Sequence, residues 1–370
     1  MSNAPQITPS EVPDFLRYAR TENAVLFLWG PPGCAKSSTV QQGAEAFAKE
    51  NGWTFVNDTN GIDAVDDPAN TFTLIDNRAA TDDSSDVKGF GWLDEVNKKT
   101  TFLPPDRLPH ADHHGHQGIL FLDDFTQAPE MVSAGYSQLI LDKHVGNYHL
   151  PDGWQIVVAG NRASDRASTK KIGNHVLNRC LHAEMVPSIK DWSAYELARG
   201  GDRVTVGYVR ARPEVINIFN RGDVAFCSMR SLSGASNVGV KVTDPAFREK
   251  LVAGFVGTTI ANELEGYRKL IASGQEIPTW NQIVTNPLEA PAPVRGEGQE
   301  MSLSYAVIGI ISHNISKVED MPAVIQYISR IHKDVETTCM HDLFGQNEDL
   351  FDCEAATQWR SDNPDVILGK

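Results

Sequence analysis

Lys36 and Ser37 close the stretch GPPGCAKS, Gly30 to Ser37. An ammonium beside a hydroxyl, reached through a glycine-rich turn, is a residue set suited to phosphate. Backbone N–H groups of such a loop point at phosphate oxygens, and the helix that follows adds partial positive charge at its N-terminus. The lysine reaches the outer phosphates and the hydroxyl takes a divalent cation. The residues expected at the phosphates are therefore Gly30, Pro31, Pro32, Gly33, Cys34, Ala35, Lys36, Ser37 and Ser38. The pattern GxxxxGK[ST] wants glycine where this chain has Ala35. If position 35 needs a positive φ, the methyl costs about 1–2 kcal/mol; if not, the cost is mainly crowding. A Gly/Pro turn with an exposed lysine is the bland alternative.

Carboxylates come next. GILFLDDF sets two acids, Asp123 and Asp124, at the end of an apolar run. A strand that ends this way presents its acids at the sheet edge where ligands of parallel sheets bind. Asp123 is expected to hold Mg²⁺ with Ser37, and Asp124 to orient and deprotonate an attacking water. The alternative is a strand ending in a solvated turn. VVAGNRAS ends another apolar run in Asn161, an amide able to position water or a terminal phosphate, or simply a turn-forming residue. HVLNRCLHAEM puts Arg179 just before a strand, where it could reach a neighbouring subunit's phosphate or be an ordinary surface arginine.

These groups need a layered scaffold. AVLFLWG, TFTLID, GILFLDDF, WQIVVAGN and LHAEMV read as buried parallel strands. SSTVQQGAEAFAKENG and APEMVSAGYSQLILDK, with helical spacing, lie between some of them. Alternation of this kind predicts an α/β domain over residues 1–187. Residues 188–370 read as a helical domain with a C-terminal extension, from DWSAYELARG, PEVINIFNRG, DPAFREKLVAGFVGTTIANELEGYRKLIASG, SLSYAVIGIISHN and MPAVIQYISRIHKDVETTCMHDLFG. IPTWNQIVTNPLEAPAPVRGEGQ is a Pro/Gly-rich connector.

The bulk numbers narrow the function classes. A net charge of −15 weighs against a nucleic-acid or anionic-membrane binder, which needs a cationic field. No run approaches the ~20 apolar residues that span a bilayer, and MSNAPQITPSEVPDF has no signal-peptide pattern. The five cysteines, Cys34, Cys180, Cys227, Cys339 and Cys353, have no CxxC spacing, which suits reduced thiols in the cytoplasm. Cys34, beside a helix N-terminus, could have a lowered thiol pKa. His110, His113, His114 and His116 invite a metal reading, but no familiar ligand framework accompanies them.

Together GPPGCAKS, ILFLDDF, AGN and LNR look like the AAA+ fold, and the detail resembles its MoxR-like branch. ILFLDDFTQAPEMVSAGYSQLILDKHVGNYHLPDGWQIVVAGN resembles that branch from Walker B to sensor 1, with VGNYHLPDGW as the pre-sensor-1 hairpin. DVKGFGWLDEVNKKTTFLPPDRLP looks like the helix-2 insert. Its Phe90 and Trp92 would either touch a client in a ring pore or pack against the hairpin. RARPEVINIF followed by SMRSL resembles the lid entrance with a sensor-2 arginine, Arg230, and EAATQWRSDNPDVI is similar to the family's usual end. The chain departs from the family at Ala35 and at Asp124, one methylene shorter than the usual glutamate. The resemblance implies an αβα core with a parallel sheet and a helical lid. It implies Mg-ATP hydrolysis in a ring, commonly a hexamer, with Arg179 acting in trans. It also implies a protein client, often beside a von Willebrand factor A-type domain protein. A nucleotide-gated assembly factor with little turnover is the competing reading, and a nucleic-acid motor a more distant one.

Overall fold

The computed structural model describes residues 4–58, 64–162, 172–218, 223–273, 278–293, 304, 307, 308, 310, 311, 314–331, 333–346 and 348–364. The chain forms two compact units, Met1–Asp191 and Trp192–Lys370.

In the first unit the apolar runs become the strands β1 (Gln6–Ile7), β2 (Val25–Trp29), β3 (Thr54–Asp58) and β4 (Thr71–Arg78). A side hairpin, β5 (Phe90–Asp94) and β6 (Lys99–Leu103), and β7 (Gln117–Asp123) follow. A second hairpin, β8 (His144–Val145) and β9 (Tyr148–His149), precedes β10 (Trp154–Gly160) and β11 (Cys180–Met185). Seven strands make one sheet in the order β1-β11-β2-β10-β7-β4-β3, with every pairing parallel.

Parallel strands need crossovers, and the helices supply them on both faces. They are α1 (Val12–Thr21), α2 (Lys36–Glu50), α3 (Ser84–Lys88), α4 (Ala111–His114), α5 (Glu130–Asp142) and α6 (Asn174–Leu177). Alternate residues of the strands serve the two layers. Leu26, Leu28, Phe121 and Val157 pack with Leu16 of α1 and Val40, Ala44 and Ala48 of α2. Phe27, Leu120, Leu122, Ile156 and Val158 pack with Val132, Tyr136 and Leu139 of α5. The first unit is thus an αβα sandwich of P-loop type.

β5–β6 is the expected insert hairpin, and it is closed at its base. Arg107 Nη1 donates to Asp82 Oδ1 at 3.1 Å, and Tyr136 Oη donates to Asp82 Oδ2 at 2.6 Å. β8–β9 is the second expected hairpin, and its Asn147 donates to Thr101 Oγ1 of the insert at 2.5 Å. The hairpins touch there, yet Phe90 and Trp92 remain exposed, at 72% and 62%.

The second unit is helical. Helices Arg203–Ala211, Met229–Lys241, Pro245–Val256 and Thr258–Ser273 surround a buried ionic chain. Arg248 grips Glu265 through two bonds of 2.6 and 2.7 Å, and Arg268 joins Asp202, which also caps the helix at Arg203. The long stretch 244–274 breaks in two at Gly257, whose φ of 87° ends the first helix. Within the described residues, PEVINI does not form the expected helix. A 3-10 turn, Pro213–Ile216, runs into a short strand, Asn217–Ile218, paired with Cys227–Ser228. Proline followed by β-branched residues favours that extended course. Residues 219–222 lie outside the described ones, as does most of SLSYAVIGIISHN. The connector holds a short helix, Trp280–Thr285, started by a Thr279/Gln282 capping box. Helices Met321–Ile328, Lys333–Gln346, Glu348–Asp352 and Glu354–Asp362 follow, with Trp359 donating to the buried Glu336 at 2.6 Å. No helix among the described residues is long and apolar enough to cross a membrane.

Candidate active site

The register brings the chemistry to one edge. Gly160 is level with Trp29, and Val158 with Leu122. Hence Gly30, Asn161 and the acids after Leu122 leave the sheet side by side, at the carboxyl ends of neighbouring strands. The chain reverses direction of travel across the sheet between β2 and β10, the switch point where such sheets bind ligands.

Gly30 to Ala35 form the loop between β2 and α2, and Lys36, Ser37 and Ser38 the first turn of α2. Ala35 is the N-cap residue with φ 70° and ψ 26°. The position does need a positive φ, so the methyl carries the left-handed penalty of about 1–2 kcal/mol. Lys36 is buried, and its Nζ donates to Gly30 O at 2.9 Å, Pro31 O at 3.1 Å and Asn161 Oδ1 at 3.0 Å. All three ammonium protons are thus directed at oxygen. Cys34 is buried as well, and burial pushes its thiol pKa up; Lys36 and the nearby N–H groups oppose that only in part. The expectation of a lowered thiol pKa is therefore wrong, because desolvation outweighs the helix terminus.

Ser37 Oγ donates to Asp123 Oδ2 at 2.5 Å, and the other oxygen of Asp123 accepts from the Asp124 amide at 2.9 Å. Asp124 itself has φ 51° and ψ 30°, a left-handed turn that aspartate tolerates better than most residues. Asn161 is held from both ends. Its side chain accepts from Lys36, and its amide donates to Thr126 Oγ1 at 3.1 Å. Thr126 is buried, and a Cβ on the preceding Gly160 would come within 2.5 Å of its methyl. Only glycine permits that approach.

Thr126 was not legible as a site residue, its only signal being a hydroxyl two residues after the acid pair. Two further groups were missed. Arg162 pairs with the buried Glu184 on β11, beside the loop. Asp76, on β4, lies on the same face as Asp123. Burial first, then the negative charge of Asp123, raises its pKa to about 6, against a partial offset from Arg78. Its Oδ1 is buried and has no hydrogen-bond partner among the described residues. The signal available was TLID, an apolar run ending in an acid just as LFLDD does.

Arg179 is at the other edge of the sheet. Cys180 is level with Val25, the first residue of β2, so Arg179 stands beside Ala24. Six residues of strand separate that level from Gly30, about 20 Å at ~3.3 Å per residue. Arg179 is exposed, with Nη1 3.9 Å from Asp142 and donating weakly to Leu141 O at 3.5 Å. Arg230 belongs to the second unit, exposed in the first turn of helix Met229–Lys241.

His110 and His114 are bound into the fold, His110 Nε2 lying 3.0 Å from Pro105 O. His114 is buried; its Nδ1 accepts from the His110 amide at 3.1 Å, so Nε2 carries the proton and faces Asp58 at 3.4 Å. A carboxylate would raise the ring's pKa. Burial and the flanking His113 and His110 win, and it is lowered to about 4. Among the described residues, no group of three or more His, Cys, Asp or Glu side chains could hold a metal ion.

No family model matches the chain, and no curated protein does. Solved structures are similar at low identity. NtrX from Brucella abortus is 14% identical with a TM-score of 0.31, over 71% of this chain and 65% of that one, just under two thirds of its length. A putative ATPase from Cytophaga hutchinsonii is 12% identical over 91% of this chain and 82% of that one, TM-score 0.33. The Aeropyrum pernix ORC2 protein is 11% identical over 78% and 74%, TM-score 0.36. These are distant likenesses of fold.

Proposed function

We propose that the chain binds Mg-ATP and hydrolyses it, as a ring-forming AAA+ protein of the MoxR-like kind that remodels or activates a protein client. The observation that carries this reading is the meeting of Lys36, the Ser37–Asp123 pair and Asn161 at one sheet edge. The donor set fits the cation. Ser37 and Asp123 offer a hydroxyl and a carboxylate, hard oxygens of the kind Mg²⁺ takes, and Mg²⁺ needs only one or two protein ligands beside phosphate and water. When bound, Mg²⁺ neutralises charge on the phosphate oxygens.

The residues then divide the work. Loop amides from Gly30 to Ser38 and the start of α2 hold phosphate oxygens. Lys36 exchanges a carbonyl or amide partner for a phosphate. Asp124 orients water and accepts its proton, while Asn161, braced by Thr126, holds the water or the terminal phosphate in line. Arg179 serves the next subunit's site and Arg230 acts as the sensor-2 arginine. Partners are other copies in a ring, commonly six, and a protein client, a von Willebrand factor A-type domain protein being the first candidate. The family resemblance and the exposed aromatics of the insert hairpin support that part. The acidic balance speaks against nucleic acid.

A second reading, an assembly factor that binds ATP but hardly turns it over, is favoured by the short reach of Asp124. Calorimetry and phosphate release together decide. We expect micromolar Mg-ATP binding, about −8 kcal/mol at 1 μM, largely lost in Lys36→Ala. Asp124→Asn should bind normally and release no phosphate. Absence of binding by the unaltered chain would refute the reading, and binding without steady-state turnover would favour the assembly factor.

A further inference from the structure

Between the loop edge and the Arg179 edge runs a chain of side chains that the roles above leave unused. Trp29, the last residue of β2, directly precedes Gly30. Its indole Nε1 donates to His182 Nδ1 at 3.0 Å. The opposite ring nitrogen, His182 Nε2, bonds Leu177 O at 2.7 Å. An indole N–H can only donate and a carbonyl can only accept, so His182 must be the neutral tautomer protonated at Nε2. Leu177 ends α6, two residues before Arg179. Trp29 is itself fixed, its ring stacked on Phe27 with centroids 4.2 Å apart and planes 9° from parallel. The separation that Arg179 cannot reach across is thus spanned by two hydrogen bonds and an imidazole.

We infer that His182 is a positioning residue for hydrolysis in trans: it ties the strand end that carries the phosphate loop to the segment that presents Arg179 to the neighbouring subunit. This rests on the shared-site reading above. The Arg179 side chain is exposed, with one long ion pair to Asp142 and a weak bond to Leu141 O. The backbone amides of Asn178 and Arg179 donate to Asn174 O at 3.0 Å and Val176 O at 3.1 Å, so α6 and the turn carrying Arg179 hold together, and His182 donates to the Leu177 carbonyl of that segment.

The test separates this from a local packing role. His182→Ala removes the bridge. Trp29→Phe keeps an aromatic ring on Phe27 but deletes the N–H, which guards against a misfolded alanine variant. Both should bind ATP as the unaltered chain does, with an unchanged KM, while kcat falls roughly tenfold, the cost of one lost hydrogen bond expressed as rate. Each variant is then mixed with Lys36→Ala, beside a control of Arg179→Ala mixed with Lys36→Ala. If His182 works through Arg179, both mixtures regain activity above the sum of their parts, as the control does. If it acts on its own loop, every site with an intact Lys36 keeps the defect, and no recovery occurs while the control recovers. That result overturns the inference, as does an unchanged kcat in both variants. A control that itself fails to recover removes the shared site, and the positioning role with it.

Discussion

Ala35 sits in the left-handed region, with φ 70°, at the N-cap of α2, and Asp124 does the same at the end of β7, with φ 51°. One is a poor choice for that conformation and the other a fair one. Ala35→Gly should therefore stabilise the chain: relief of about 1–2 kcal/mol of left-handed strain outweighs the ~0.5–1 kcal/mol entropy that glycine loses on folding. The gain, several tenths to about 1 kcal/mol, would appear as a higher urea midpoint with an unchanged slope. A lower midpoint would mean that the methyl, packed against the α2 face, contributes more than its strain costs.

The short helix α4 and the loop before it are fastened to β3 and the sheet by the neutral ring of His114. Thr73 donates to its backbone carbonyl, and its ring meets Asp58. An ordinary unfolded-state histidine titrates near 6.5, whereas this one stands at about 4 in the folded chain. The contribution is fully present above about pH 6.5 and is lost as pH falls from there toward 4, since only the unfolded chain then takes up the proton. The unaltered protein should lose thermal stability over that window, and His114→Gln should lose measurably less between the same two pH values. Parallel curves for the two proteins would show that another group carries the acid sensitivity.

At the scale of the whole molecule the decisive fact is that Arg179 and the loop Gly30–Ser38 lie at opposite ends of the sheet's strands. A side chain cannot cross about 20 Å of strand, so an arginine that takes part in hydrolysis must serve another copy. Arg179→Ala should bind ATP almost normally and hydrolyse it at least 10³-fold more slowly, within the range seen for such arginines. Mixing it with Lys36→Ala should restore part of the activity, because one of the mixed interfaces pairs an intact Lys36 with an intact Arg179. Light scattering checks that mixed rings form. Activity no greater than the sum of the two variants in confirmed mixed rings would rule out a shared site.

Much of this molecule was determined by sequence because the signals are local. Continuous apolar runs such as VLFLW and GILFL can only be strands covered on both faces, and an acid or glycine that ends one must emerge at the sheet edge. The loop, its lysine and hydroxyl, Asp123, Asp124 and Asn161 were legible on those grounds. PEVINIF misled because its apolar spacing also suits a helix, and only pairing with Cys227–Ser228 selects the extended course. Other features were settled by tertiary structure alone. The sign of φ at Ala35 depends on how α2 docks, and the raised pKa of Asp76 on burial first and then on the charge of Asp123, 47 residues away. The bridge from Trp29 through His182 to Leu177 exists only because β11 lies beside β2 in one register; a one-residue slip would turn His182 to the opposite face. Strand order and register are set by packing between segments distant along the chain, and no local window of residues contains them.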